Sequence, residues 1–95
     1  MALVLATEQQ IASALGALPG WTRSAGTISK PFTFADFNEA WGFMCRVALL
    51  AEKQDHHPEW RNTWNKVEIT LSTHDVGGLS DRDLTLAKAI EQILA

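Results

Sequence analysis

Lys66-Val67-Glu68-Ile69-Thr70-Leu71-Ser72-Thr73-His74 alternates without a break between two sets of side chains. Val67, Ile69, Leu71 and Thr73 point one way, and Glu68, Thr70, Ser72 and His74 the other. That is the two-residue period of a strand with one buried and one open face. The run follows a second strand candidate, Trp60–Trp64, with Asn65 at a tight turn, so the two segments form an antiparallel hairpin. The start of its first strand and the end of its second are neighbours, which brings His57 and Pro58 close to His74. Pro58 itself pushes His57 into an extended conformation and closes the helix before it.

That helix spans about Ala35 to Gln54, with either Thr33 or Asp36 as its cap. On a wheel, Phe37, Trp41, Met44, Cys45 and Ala48 fill one sector and Ala40, Phe43, Val47, Leu50 and Ala51 the adjoining one. The apolar arc is roughly 220° wide, more than one packed surface needs. A partner subunit is the simplest cover for the excess. Upstream, Ile28, Phe32 and Phe34 share a strand face with Lys30 between them, and Pro31 marks an edge strand or a bulge. Trp21–Arg23 is a short strand joined to it by Ser24-Ala25-Gly26. Thr7 with Gln10 forms a capping box for a first helix carrying Ile11, Ala14, Leu15 and Leu18, ended by Pro19-Gly20. Past the hairpin, Asp75-Val76-Gly77-Gly78 is a turn. Ser80 with Asp83 caps a last helix, Leu79 and Leu84 staple it, and Leu86, Ala87, Ile90, Ile93 and Leu94 form its buried side. The order α-β-β-α-β-β-α predicts an α+β fold, a four-stranded antiparallel sheet with helices packed on one face.

Ninety-five residues predict one domain over 1–95. A domain of this size buries only about 60–65% of its unfolded surface, so self-association is a natural supplement. Four Trp and four Phe, with no Tyr, supply large aromatic area. The net charge of −3 is spread without a Lys/Arg cluster, which argues against direct nucleic-acid binding and gives no membrane signal. The apolar run Ala2–Ala6 is too short for a signal segment or a membrane span. The single cysteine, Cys45, allows no internal disulfide and reads as a small buried residue, so a reducing, cytoplasm-like compartment is the default.

All three histidines, His56, His57 and His74, fall at element boundaries, where rigid scaffolds present functional groups. Singly, each is explained by a hydrogen bond to a neighbouring carboxylate or backbone group; together at one end of a hairpin they suggest a site. Adjacent histidines on an extended chain face opposite sides, so they are awkward joint metal ligands, and no His-x-His pair is present. Ser72, His74 and Asp75 lack a nucleophile elbow, and residues adjacent in a chain rarely form a triad. Gly77-Gly78 reads as a turn. Asp81 and Asp83 are accounted for by capping and the helix dipole.

Glu52, three residues, His56-His57-Pro58, five residues, Trp64, nine residues, His74, eight residues and Asp83 make up a spaced pattern. It resembles the signature of the pterin-4a-carbinolamine dehydratase family. Ala51–Trp60, Thr73-His74-Asp75, Gly78-Leu79-Ser80 and the preceding helix with Phe37, Phe43 and Val47-Ala48 extend the resemblance. It is specific from about Phe32 onward; before that, only the first helix and Trp21 fit.

The resemblance implies dehydration of a 4a-hydroxy-tetrahydropterin to the quinonoid dihydropterin, which recycles tetrahydrobiopterin after aromatic hydroxylation. The leaving hydroxyl gains a proton, N5 loses one, and no electrons move, so neither cofactor nor metal is implied. Imidazoles suit this exchange because a free one titrates near ~6.5. By resemblance His56, His57 and His74 line the site, with His56 and His74 as the acid–base pair and His57 orienting the substrate. Asp55, Pro58, Ser72, Thr73 and Asp75 shape the pocket, Arg82 contributes charge at its edge, and Glu52 orients His56 from four residues earlier. Dimeric or tetrameric assembly is also implied. Vertebrate members double as dimerisation cofactors of a homeodomain transcription factor, in the nucleus as well as the cytoplasm, which offers a binding-module alternative. A third alternative is an accessory protein of the same fold, for instance a partner of a molybdopterin enzyme.

Overall fold

A computed structural model describes residues 3–94. The first residue of the Ala2–Ala6 run and the two ends of the expected domain, Met1 and Ala95, lie outside them. The elements are α1 (Glu8–Gly16), β1 (Thr22–Ser24), β2 (Thr27–Thr33), α2 (Phe37–Gln54), β3 (Glu59–Thr63), β4 (Lys66–Leu71), a 3-10 turn (His74–Val76) and α3 (Asp81–Leu94). The four strands form one antiparallel sheet in the order β1-β2-β4-β3. The α+β order read from the sequence is therefore the observed one.

Register decides which face the helices cover. Ile28 pairs with Leu71, Lys30 with Ile69 and Phe32 with Val67, so these six residues share a face. Ile28, Val67, Ile69 and Leu71 are buried there against Ala40, Phe43 and Val47 of α2 and Leu86, Ala87 and Ile90 of α3. Phe43 is fully buried, and its ring sits 4.9 Å from those of Phe32 and Phe34. Burial of such a ring contributes roughly 1.5–3 kcal/mol. Lys30 survives on this face because its Nζ reaches Glu91 at 2.7 Å and the Pro19 carbonyl at 2.9 Å, and lies over the Phe32 ring. The opposite face carries Glu59 beside Thr70 and Arg61 beside Glu68 and is left open.

Four expectations need correction. Pro31 does not put β2 at an edge: the strand is interior, between β1 and β4. The β1 pairing stops at Ser29, however, so residues 30–33 have no neighbour on that side, and a residue without an N–H costs no ladder bond there. The last strand ends at Leu71 instead of running to His74, because its partners end at Ile28 and Glu59. Helix α1 ends at Gly16, and i→i+3 bonds from Ala17 and Leu18 tighten the chain ahead of Pro19. Of the two caps expected for α2, Asp36 is the one used: the helix starts at Phe37, and Asp36 accepts from the Glu39 amide at 2.8 Å. Cys45 is exposed, because only one sector of the wide arc faces the sheet. Among the described residues, no helix is long and apolar enough to cross a membrane.

Candidate functional site

The site begins at the end of α2. Asp55 takes a left-handed conformation (φ 50°, ψ 44°), a role a short acidic side chain tolerates. The His56 amide then reaches back to the Ala51 carbonyl at 3.0 Å, closing the helix in a Schellman-type turn. This reversal separates the two histidines: His56 is buried and His57 is exposed.

His56 Nε2 lies 2.5 Å from Asp83 Oδ1, and Asp83 is completely buried. Asp83 Oδ2 accepts from the Thr73 hydroxyl at 2.7 Å and from the Ser80 amide at 2.9 Å. An ionised carboxylate only accepts, so His56 Nε2 carries its hydrogen. Thr73 has spent its proton on Asp83, so the Ser80 hydroxyl, 2.7 Å away, donates to Thr73 Oγ1, and Ser80 Oγ accepts from the Arg82 amide. Three donors thus compensate one buried charge, and the same carboxylate joins His56 to the start of α3 and the loop bearing His74.

That loop is closed by the Thr73 amide to the Gly78 carbonyl at 2.8 Å and the Gly78 amide back to Thr73 at 3.3 Å. Gly77 takes φ 71° to complete the turn. The β1–β2 turn packs against it: a Cβ on Gly26 would meet Gly78 Cα at 3.1 Å, and Ser72 Oγ donates to the Gly26 carbonyl at 2.9 Å. His74 is the first residue of the 3-10 turn and is exposed.

His57, Pro58, Glu59, Thr70, Ser72 and His74 line one pocket of about 270 Å³. It lies at the end of the open sheet face, where the hairpin returns. Two of the three imidazoles therefore share a pocket; His56 is not on its wall. The expectation that Glu52 orients His56 is overturned: Glu52 Oε1 lies 2.9 Å from His57 Nε2, because the left-handed Asp55 swings His56 away from the face that Glu52 occupies. Thr73 faces Asp83 rather than the pocket. Asp55 and Asp75 are exposed and off the pocket wall, and Arg82 holds the Asp55 carbonyl at 3.2 Å, bracing the start of α3 on the end of α2. Sequence reasoning missed three participants. Asp83 passed as a helix cap, although it sits at the end of the spaced pattern. Glu59 and Thr70 face each other across the hairpin, a register that follows from a turn at Trp64-Asn65.

A larger groove of about 840 Å³ runs between α1 and α3, but its only charged side chains are Asp81 and Lys88 and it holds no imidazole. The smaller pocket is lined by two imidazoles and a carboxylate, those of His57, His74 and Glu59. No cluster of three or more His, Cys, Asp or Glu suited to a metal ion occurs among the described residues.

The family model for pterin 4 alpha carbinolamine dehydratase matches residues 4–93. A protein of Nitrobacter winogradskyi is 59% identical over 83 residues, covering 85% of this chain and 82% of its own. One from Rhizorhabdus wittichii is 57% identical over 89 residues, covering 92% of each. Both are named, provisionally, as pterin-4-alpha-carbinolamine dehydratases. The crystal structure of a transcriptional coactivator/pterin dehydratase from Brucella melitensis superposes with a TM-score of 0.91 at 42% identity, covering 96% of this chain and 99% of that one.

Proposed function

The chain belongs to the pterin 4 alpha carbinolamine dehydratase family, and on that premise we propose that it dehydrates a 4a-hydroxy-tetrahydropterin, with His57 and His74 as the imidazoles that exchange protons with the substrate. The observation that carries this reading is the pocket the two rings share, at about 270 Å³ just below the ~300–1,000 Å³ typical of small-molecule sites. One imidazole protonates the hydroxyl leaving C4a. The other accepts the proton of N5 as the nitrogen lone pair forms the C4a=N5 bond, and the products are water and the quinonoid dihydropterin. Glu52 holds the His57 ring through Nε2, leaving Nδ1 for the substrate. His56 acts from behind the site as a positioning residue, its ring fixed by Asp83.

Single alanine variants of the histidines test the division. Replacement of His57 or His74 is expected to lower the dehydration rate of a synthetic carbinolamine by about 10²–10⁴-fold with the fold intact. Replacement of His56 is expected to reduce stability as well. Full rate and full pterin affinity in both the His57→Ala and the His74→Ala proteins would overturn the acid–base reading.

We further propose that the reaction serves tetrahydropterin recycling in a reducing, cytoplasm-like compartment, a reading supported by the carbinolamine substrate and by the single, unpaired cysteine of the sequence. Self-association as a dimer or tetramer is supported by the exposed sector of α2, where Phe37 and Trp41 stack with ring centroids 6.3 Å apart. The same face suits a transcription factor's dimerisation helix, an alternative in keeping with the Brucella protein's being called a transcriptional coactivator; a pull-down with such a helix tests it.

A further inference from the structure

The pocket holds one carboxylate that the reaction does not use. Glu59 pairs with Thr70 across the hairpin, so both side chains stand on the open sheet face. Both line the pocket with His57 and His74. Among the described residues Glu59 makes no ion pair. The nearest cation on its face, Arg61, reaches Glu68 at 3.4 Å. No lysine or arginine lines the pocket to neutralise it. A free carboxylate beside two imidazoles calls for a ligand edge that offers hydrogens.

Resting on the dehydratase reading above, we propose that Glu59 is a specificity-determining residue that accepts hydrogen bonds from the 2-amino group and N3–H of the pterin. Those two donors are parallel and adjacent, and a carboxylate meets such a pair with both oxygens, as it meets a guanidinium. In the pyrimidine ring C4a lies para to C2. The reacting carbon and the 2-amino group are thus at opposite ends, as the imidazoles and the carboxylate must be to serve both. His57 and Glu59 are two residues apart on an extended chain, a Cα separation of about 7 Å, so their side chains leave the same strand side and splay apart to reach the two ends of one six-membered ring. Thr70 and Ser72 also line the pocket; the Ser72 hydroxyl donates to the Gly26 carbonyl, so it serves a bound ring as an acceptor. A ligand with a carbonyl in place of the 2-amino group turns an acceptor toward the carboxylate and is rejected by repulsion as well as by the missing bond.

The test compares 7,8-dihydropterin with its 2-deamino-2-oxo analogue, 7,8-dihydrolumazine, by calorimetric titration of wild type, Glu59→Gln and Glu59→Asp. Wild type is expected to prefer the pterin by about 10–100-fold, the worth of a charged hydrogen bond. In Glu59→Gln the ratio collapses toward unity, because an amide donates to the 2-oxo group as readily as it accepts from the amino group. Glu59→Asp, with a shorter arm, keeps part of the preference. The side chain is exposed, so folding survives the change, and a circular dichroism melt confirms it. A Glu59→Gln protein that binds pterin with the wild-type ratio overturns the Glu59 assignment and leaves the dehydratase reading standing. A wild type that binds neither ligand removes both.

Discussion

At the scale of single residues the decisive contact is His56 to Asp83. Removing that carboxylate strands a ring N–H, a hydroxyl and an amide in the interior together. Asp83→Ala is therefore expected to cost about 3 kcal/mol or more in urea unfolding. Asp83→Asn keeps the shape but can offer a donor to Nε2. It should move the His56 hydrogen to Nδ1, a change that ¹⁵N NMR of the imidazoles reads directly, and lower activity by misdirecting the ring. Unchanged stability and an unchanged His56 tautomer in both variants would refute this role. The surface pair of Glu8 and Arg23 makes the contrast. A hydrogen bond and then the charge of Arg23 hold the Glu8 carboxyl below the usual carboxylate range. A lowered pKa stabilises the fold above the ordinary carboxylate titration, and the benefit fades as the pH falls through the folded value. Both groups are solvent-facing, so salt screens the effect; Glu8→Gln should melt with wild type in 1 M salt, whereas Asp83→Ala should not. Much of the site could be read from the residues, because Pro58 and the hairpin bring positions 57 and 74 together. The split between His56 and His57 could not. It depends on the left-handed turn at Asp55, and nothing in Gln54-Asp55-His56 announces that turn as a glycine would.

Helices and strands behave as their patterns dictate wherever one face is buried. Helix α2 shows it best: Ala40, Phe43, Val47 and Ala51 are buried at helical spacing, while Trp41, Cys45, Ala48 and Leu49 on the other side are exposed. Phe43→Ala should destabilise by about 3–5 kcal/mol, since the ring is fully buried between Phe32 and Phe34. Asp36→Ala, which removes the cap, should cost about 1 kcal/mol and Thr33→Ala much less. Equal midpoints for the two cap variants would mean that Asp36 does not set the start of the helix. The strands were legible through alternation, and the hairpin fixed their pairing. What the sequence concealed was strand position and length. A proline ordinarily signals an edge, yet β2 is interior; Pro31 is tolerated there because β1 is only three residues long and leaves it uncovered. The even spacing of Thr73 and His74 continues the strand pattern past the point where any partner remains to bond it.

For the whole molecule the question is what the outer sector of α2 faces. Phe37 is 48% exposed, Trp41 53% and Leu49 72%, a large apolar display for a chain of 10.5 kDa. Solvated aromatic area of this kind marks an association surface, and a small core profits from burying it. If chains assemble through α2, folding is coupled to assembly, and the melting temperature must rise with chain concentration by mass action. Trp41→Glu places a charge in the middle of that surface without touching the sheet-facing sector. It should yield a slower-sedimenting species whose melting temperature no longer varies over about a hundred-fold range of concentration. The pocket is built from the β3–β4 hairpin, the loop after β4 and the segment that follows α2, and Trp41 does not line it. The dissociated variant should therefore still bind dihydropterin, so that assembly and ligand binding come apart in one experiment. A wild-type chain that sediments as a monomer throughout that range, with a constant melting temperature, would leave the helix face to a partner of another kind.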